Sequence, residues 1–175
     1  MKFKILEQDC SWMVDSNIDL ISKEYLDGVG IVEATFTMTG KSTPNDFMEY
    51  GQIILVSDKV VDILKKYKGI KVTFSPVTFI WNEEIYTKCN FYIMQVLEEI
   101  ECINYEESEY ECFTSAPTEI KTLDKLVIYP VDTDTYKLFI MGNTCFVCMD
   151  NFICNELVSH SCTGFTLTEV SDATI

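Results

Sequence analysis

The chain has 175 residues, about the size of one ordinary domain, and 47% of them are apolar, which is enough for a substantial core. It carries 28 acidic residues against 13 basic ones, a formal net charge of −15. No stretch approaches the roughly 20 apolar residues of a membrane helix, and acidic residues follow the first few positions before any signal-like region forms, so we expect a cytoplasmic protein with no membrane partner.

Every basic residue is a lysine, and this composition argues against nucleic acid as a partner. Phosphate backbones are bound by cationic surfaces, and bidentate recognition of phosphates or bases relies on arginine. A basic protein suits an acidic chain better, because complementary fields accelerate encounter and exclude wrong partners. Two simpler explanations stay open: acidity that only aids solubility, and a genome composition that favours lysine codons.

The N-terminal region contains short candidate elements. Residues 2–6 and 31–38 have the composition of strands, residues 18–26 are consistent with a short helix, and residues 40–44 with a loop.

From residue 53 the pattern becomes clearer. Residues 53–56 form a continuous apolar run typical of a buried strand, and a helix follows, capped by Ser57 or Asp58 and ended by Gly69. Two further strands are predicted at residues 70–74 and 77–81, separated by Ser75 and Pro76.

The second half adds more strands and one more helix. A strand at residues 91–97 precedes an acidic segment, and strands at 126–129 and 136–141, joined by a short turn, are predicted to pair with each other. The chain then closes with a strand at 145–148, a helix capped by Asp150 and carrying Phe152, Ile153 and Leu157, and a strand at 164–170. With no linker along the chain, we predict one α+β domain over residues 1–175, with a mixed or antiparallel sheet and a few short helices.

The eight cysteines suggest chemistry but do not form a convincing site. Cys145 and Cys148, with Cys154, His160 and Cys162, supply enough ligands for zinc on paper. In a strand, however, side chains three residues apart point to opposite faces, and a redox dithiol needs its first cysteine at a helix N-terminus. We therefore expect free, mostly buried thiols, with no metal, no cofactor and no catalytic residue.

The acidic segment is the best candidate for partner binding. No basic residue lies between Lys88 and Lys121, and apolar or aromatic side chains, Cys102, Ile103 and Phe113 among them, are interleaved with the glutamates. Such a mixture fits an interface core with an acidic rim; a solvated acidic loop, or carboxylates for acid–base or cation chemistry, are the alternatives. The predicted binding residues are Glu98, Glu99, Glu101, Tyr105, Glu106, Glu107, Glu109, Tyr110 and Glu111.

Several segments carry a family resemblance: residues 54–58, 74–77, the strand at 91–96 that leads into Glu106-Glu107-Ser108, residues 126–128 and 136–139, and Thr163-Gly164-Phe165 with Val170. Over residues 53–170 the chain resembles bacterial polymorphic-toxin immunity proteins, a family first described as a domain of unknown function. The resemblance implies a cytoplasmic protein that binds and blocks a cognate toxin and has no catalytic residues. Residues 1–50 have no counterpart, so we expect a variable N-terminal part followed by an immunity-protein-like part at 51–172.

The sequence also departs from the family pattern and leaves alternatives. Cys148, Cys154 and Cys162 stand where the family keeps aliphatic residues around the last helix. A regulatory or adaptor module that binds a host-cell protein is the second hypothesis, and an enzyme the third. A homo-oligomer is compatible with either binding role.

Overall fold

The computed structural model describes residues 3–8, 34–38, 43–50, 53–132 and 134–170, and within them the chain forms thirteen strands and two helices. The helices are α1 (Asp58–Leu64) and α2 (Asn151–Ser159). The strands are β1 (Phe3–Gln8), β2 (Ala34–Met38), β3 (Phe47–Tyr50), β4 (Ile53–Ser57), β5 (Val72–Trp81), β6 (Glu84–Ile85), β7 (Phe91–Val96), β8 (Glu99–Ile100), β9 (Glu109–Phe113), β10 (Ala116–Lys125), β11 (Leu138–Met141), β12 (Val147–Asp150) and β13 (Phe165–Glu169).

The strands form two larger sheets and a separate hairpin. The first sheet has the order β13-β1-β12-β11-β8, and the second has the order β2-β5-β7-β4-β3, with β6 paired to β5. All these pairs are antiparallel except β8 with β11 and β2 with β5. Strands β9 and β10 pair only with each other among the described elements. The predicted α+β class with mixed sheets and short helices is confirmed.

The largest core cluster joins both sheets to both helices. Helix α1 buries Val60, Val61, Ile63 and Leu64, and α2 buries Ile153, Cys154 and Leu157. These side chains pack with residues of the first sheet (Leu6, Leu138, Val147, Met149) and of the second (Phe47, Val56, Met94, Val96). Short helices gain most of their stability from such packing rather than from intrinsic propensity.

Two smaller clusters complete the interior. One covers Phe3, Ile5, Phe139 and Cys148 of the first sheet with residues from the segment that follows β8, including Cys102, Ile103, Leu123 and Leu126. The other lies on the second sheet around Phe36, Phe79 and Phe91.

The two helix caps differ. Asp150 caps α2 as predicted, because its Oδ1 accepts a hydrogen bond from the backbone N–H of Phe152 at 2.7 Å. Ser57 occupies the N-cap position of α1, but its side chain makes no capping bond. Its hydroxyl donates to Asp46 instead, at 2.7 Å.

Strand β5 corrects the prediction of two strands broken at Ser75-Pro76. It runs without interruption over ten residues, with Pro76 opposite Tyr92 of β7. The pairing with β2 starts only at Val77. The missing N–H of Pro76 therefore falls outside the ladder with β2, where a proline is tolerated.

The predicted pairing of residues 126–129 with 136–141 is wrong. Strand β11 pairs with β12 and β8, and residues 126–129 make only an isolated bridge between Ile128 and Ile103. Ile128 packs against the cluster beneath this segment, so burial rather than the short turn decides its position. The predicted helix at 18–26 and most of the loop at 40–44 lie outside the described residues.

Asp46 links three separate parts of the fold. Its carboxylate accepts hydrogen bonds from Ser57 Oγ at 2.7 Å, from Lys59 Nζ at 3.0 Å and from the Thr163 backbone N–H at 2.9 Å. It thereby joins the residue before β3, the start of α1 and the segment between α2 and β13. Burial alone would raise the pKa of Asp46, but the three hydrogen bonds outweigh it and hold the pKa below its ordinary value of 3.8.

Replacing Asp46 with asparagine is expected to lower the free energy of unfolding at pH 7 by about 2 kcal/mol, since charge-assisted hydrogen bonds are lost. Because the pKa of Asp46 is lower in the folded state than in the unfolded state, its contribution to the free energy of unfolding is fully present above the unfolded-state pKa. That contribution is lost as the pH falls through the folded-state pKa. The difference from wild type in urea unfolding should therefore shrink below about pH 4. Asp62→Asn, at an exposed helix position, is the control. A difference that stays constant with pH would contradict this role.

Candidate functional site

The acidic segment begins at the edge of the first sheet. Glu98 forms an ion pair with Lys71, with 2.6 Å between Nζ and Oε2, so this carboxylate is already occupied within the chain. Glu99 and Ile100 then form β8, and Glu99 is exposed. Of the two glutamates at this edge, Glu98 is paired with Lys71, and Glu99 has no hydrogen-bond or ion-pair partner among the described residues.

The chain next turns inward. Cys102 and Ile103 are each only 3% exposed and belong to the core cluster on the first sheet. The bridge between Ile103 and Ile128 holds them there. These two residues, which the sequence placed on a surface both charged and apolar, are therefore part of the interior.

A fixed turn returns the chain to the surface. Buried Asn104 accepts a hydrogen bond from the Glu106 N–H through its side-chain Oδ1, at 3.1 Å, and its backbone carbonyl accepts one from Ser108 N at 3.0 Å. Ser108 Oγ both donates to and accepts from the backbone of Val127. Glu106 and Glu107 are exposed on this turn, so two carboxylates project from a base that is hydrogen-bonded to the body of the protein.

Two tyrosines lie beside this turn. The rings of Tyr105 and Tyr110 meet edge to face, with centroids 5.3 Å apart. Asn143 Nδ2 donates to the Tyr105 hydroxyl at 2.9 Å and to both carboxylate oxygens of Glu101 at 3.1 and 3.2 Å. Tyr105 is 37% exposed and Tyr110 is 36% exposed, so each ring offers apolar area to a partner, and the hydrogen bond from Asn143 also holds Tyr105 in position.

Strand β9 continues the same surface. Glu109, Glu111 and Phe113 are exposed, and Phe113 leaves 44% of its area accessible. Lys125 of β10 stands opposite Glu109 in the strand register. We define the acidic surface by its exposed side chains: Glu99, Glu101, Tyr105, Glu106, Glu107, Glu109, Tyr110, Glu111 and Phe113.

The acidic surface combines six carboxylates with three exposed aromatic side chains. Arranged in this way, the carboxylates can attract a cationic partner and the rings can supply desolvated contact area. Sequence reasoning missed Asn143, which lies 38 residues from Tyr105 and gave no local signal.

The cysteines that the sequence analysis considered and rejected as zinc ligands are dispersed. Cys145 is exposed ahead of β12, whereas Cys148 and Cys154 are buried in two different core clusters. Burial raises the pKa of the Cys154 thiol to about 12 and that of the Cys162 thiol to about 11, so both are protonated at neutral pH. Within the described residues no three His, Cys, Asp or Glu side chains are grouped as metal ligands.

His160 lies at the C-terminal end of α2. It is exposed, and its Nδ1 lies 2.8 Å from the Glu156 carbonyl oxygen. Among the described residues, no hydrogen bond joins a cysteine thiol to the His160 ring. The ring lies at the end of a helix and not in a Cys–His pair.

Comparison with models of known protein families gives a match. Residues 22–172 match the model of the immunity protein family Imm11. The match begins well before residue 53 and takes in part of the N-terminal region that had no counterpart in the sequence analysis. No curated protein is similar enough to the chain to count as a relative. In the described residues, neither helix is long and apolar enough to cross a membrane. Because the family match spans most of its length, the chain belongs to the immunity protein family Imm11.

Proposed function

We propose that the protein binds a cognate bacterial toxin in the cytoplasm and neutralises it by stoichiometric protein–protein interaction, without catalysis of its own. Membership of an immunity protein family supports a toxin as the partner. The observation that supports the site is the acidic surface, which combines exposed glutamates with three exposed aromatic side chains, one of which, Tyr105, is hydrogen-bonded to Asn143. The whole chain, residues 1–175, acts as one domain in this role.

The charge of the surface favours a basic toxin. The chain has a net charge of −15, and none of its lysines lies between Lys88 and Lys121. Opposite fields raise the association rate and suppress wrong partners, which matters for an inhibitor that must act before damage is done. A toxin that itself binds nucleic acid, such as a nuclease, has the required basic surface.

An affinity pull-down from the native organism, with sequencing of the flanking genes, tests this function. We expect a toxin domain encoded next to the gene to co-purify with the protein. Recovery of only host-cell proteins, with no toxin gene nearby, would favour the adaptor hypothesis instead.

Tyr105 is expected to contribute strongly to affinity because its position is fixed before binding, which lowers the entropic cost. Tyr105→Ala should weaken toxin binding about thirtyfold, or about 2 kcal/mol. Tyr105→Phe keeps the ring that packs on Tyr110 and removes only the hydroxyl bound by Asn143, so it should cost about threefold or less. Affinities measured by surface plasmon resonance would decide. Equal losses in the two variants would show that the hydroxyl, not the ring, contributes the affinity.

A further inference from the structure

Strand β9 has one open edge. Its five residues pair with β10 on one side, and on the other side the described chain supplies no backbone partner. Four of the five side chains are exposed and the fifth, Cys112, is half-buried. Within the described residues, no backbone group pairs with the outward-facing N–H and C=O groups of β9, and an unpaired edge of this kind is the usual requirement for pairing with a strand from another chain.

The two strands of the hairpin differ in how their edges are protected. Proteins commonly block open edges with proline, lysine and β-bulges. Strand β10 has all three: Pro117, Lys121 and Lys125, and register shifts in which every extra residue belongs to β10. Strand β9 has no proline, no lysine and no extra residue, and each of its residues has a partner on β10; its charged side chains are Glu109 and Glu111. These negative charges disfavour pairing with another acidic strand but favour pairing with a cationic one.

The side chains of β9 alternate between two faces. Glu109, Glu111 and Phe113 lie on one face, while Tyr110 lies on the other, opposite the fully buried Leu123. In an added strand, residues two apart would stand directly across from Glu109 and Glu111, at the short cross-strand distance where opposite charges attract. The next residue on that face would meet the exposed Phe113 ring.

We propose that the open edge of β9 receives an extended basic segment of the toxin as a third strand of the hairpin. The segment would place two cationic side chains two residues apart opposite Glu109 and Glu111, with an apolar side chain opposite Phe113. Backbone hydrogen bonds would contribute affinity and the alternating side chains would contribute specificity, as in other cases of β-strand addition. This inference rests on the proposed function and names the form in which the toxin engages the acidic surface.

Amide hydrogen exchange of the full chain, measured with and without the co-purified toxin, tests directly whether the open edge of β9 becomes hydrogen-bonded. Alternate amides of residues 109–113 point away from β10, and we expect their exchange to slow at least about tenfold when toxin is bound. Unchanged exchange at these amides in a formed complex would overturn the inference while leaving the proposed function intact. Failure to form any complex would overturn both.

A pair of proline variants provides the matched control. Neighbouring residues in a strand direct their N–H groups to opposite edges, so Tyr110→Pro and Glu111→Pro remove one inward and one outward donor. The variant that retains the wild-type melting temperature should bind toxin at least about tenfold more weakly than the alanine variant at the same position, which lacks the same side chain but keeps the N–H. Equal affinities of that proline variant and its alanine counterpart would overturn the inference, and the exchange experiment decides if both proline variants fail to fold.

The same exchange measurement on the protein alone, at low and high concentration, tests whether a second copy of this chain pairs with the β9 edge. We expect the β9 amides to exchange at a rate independent of protein concentration. Protection that grows with concentration would mean that the edge pairs with a second copy of this chain, and would overturn its assignment to the toxin.

Discussion

Reversing the charges of Glu106, Glu107 and Glu109 to lysine is expected to weaken toxin binding about a thousandfold, which corresponds to about 4 kcal/mol. All three carboxylates are exposed, and they stand together on the turn and the first residue of β9. Reversal replaces attraction to a basic partner with repulsion. The loss should occur partly in the association rate, and the dependence of affinity on salt should become weaker.

The matched control carries the same change in net charge at another place. Asp62, Glu83 and Glu84 are also exposed but lie on α1, on the turn before β6 and on β6 itself. Their triple reversal to lysine should leave affinity within about threefold of wild type if steering depends on the local surface. Equal effects of the two triple variants would mean that net charge alone determines binding, and the site assignment would be wrong.

Gly164→Ala is expected to cost about 4 kcal/mol of folding stability, the largest loss predicted for the scaffold. Gly164 has a φ of +89°, and a Cβ at this position would lie 2.1 Å from the Phe47 carbonyl oxygen. Phe47 N also bonds to the Thr163 carbonyl, so β3 and the start of β13 approach each other closely here. Only a residue without a side chain fits this approach.

Gly69 provides a control with the same backbone conformation. Its φ is also +89°, but nothing lies within 4 Å of the position that a Cβ would take. Gly69→Ala should therefore cost only the left-handed strain, about 1 kcal/mol. Urea unfolding of both variants separates strain from steric overlap. Equal losses would show that Phe47 moves aside at little cost.

Elements encoded by local pattern could be predicted from the sequence. The apolar run at β4, the stripe of α1, the strand β7 and the aspartate that caps α2 all depend on neighbours within a few residues. Strand β10 was missed because its composition is typical of a loop, with Pro117 and several charged residues, and it is a strand only through pairing with β9. The parallel pairing of β8 with β11, across about forty residues, has no local signature.

The site was only partly predictable for the same reason. The density of glutamates selected the segment, and Glu106, Glu107, Glu109 and Glu111 are exposed, while their role in binding stays a prediction. No local pattern could show that Lys71 engages Glu98. The burial of Cys102 and Ile103 and the hydrogen bond from Asn143 to Tyr105 likewise depend on tertiary contacts.

The most direct test of neutralisation by binding is a calorimetric titration of the toxin encoded beside the gene, with toxin activity assayed in the same mixtures. We expect a stoichiometry of about one to one, complete loss of toxin activity near equivalence, and an affinity that falls as salt rises. A toxin that releases no heat of binding and stays active in excess of this protein would contradict the proposed function.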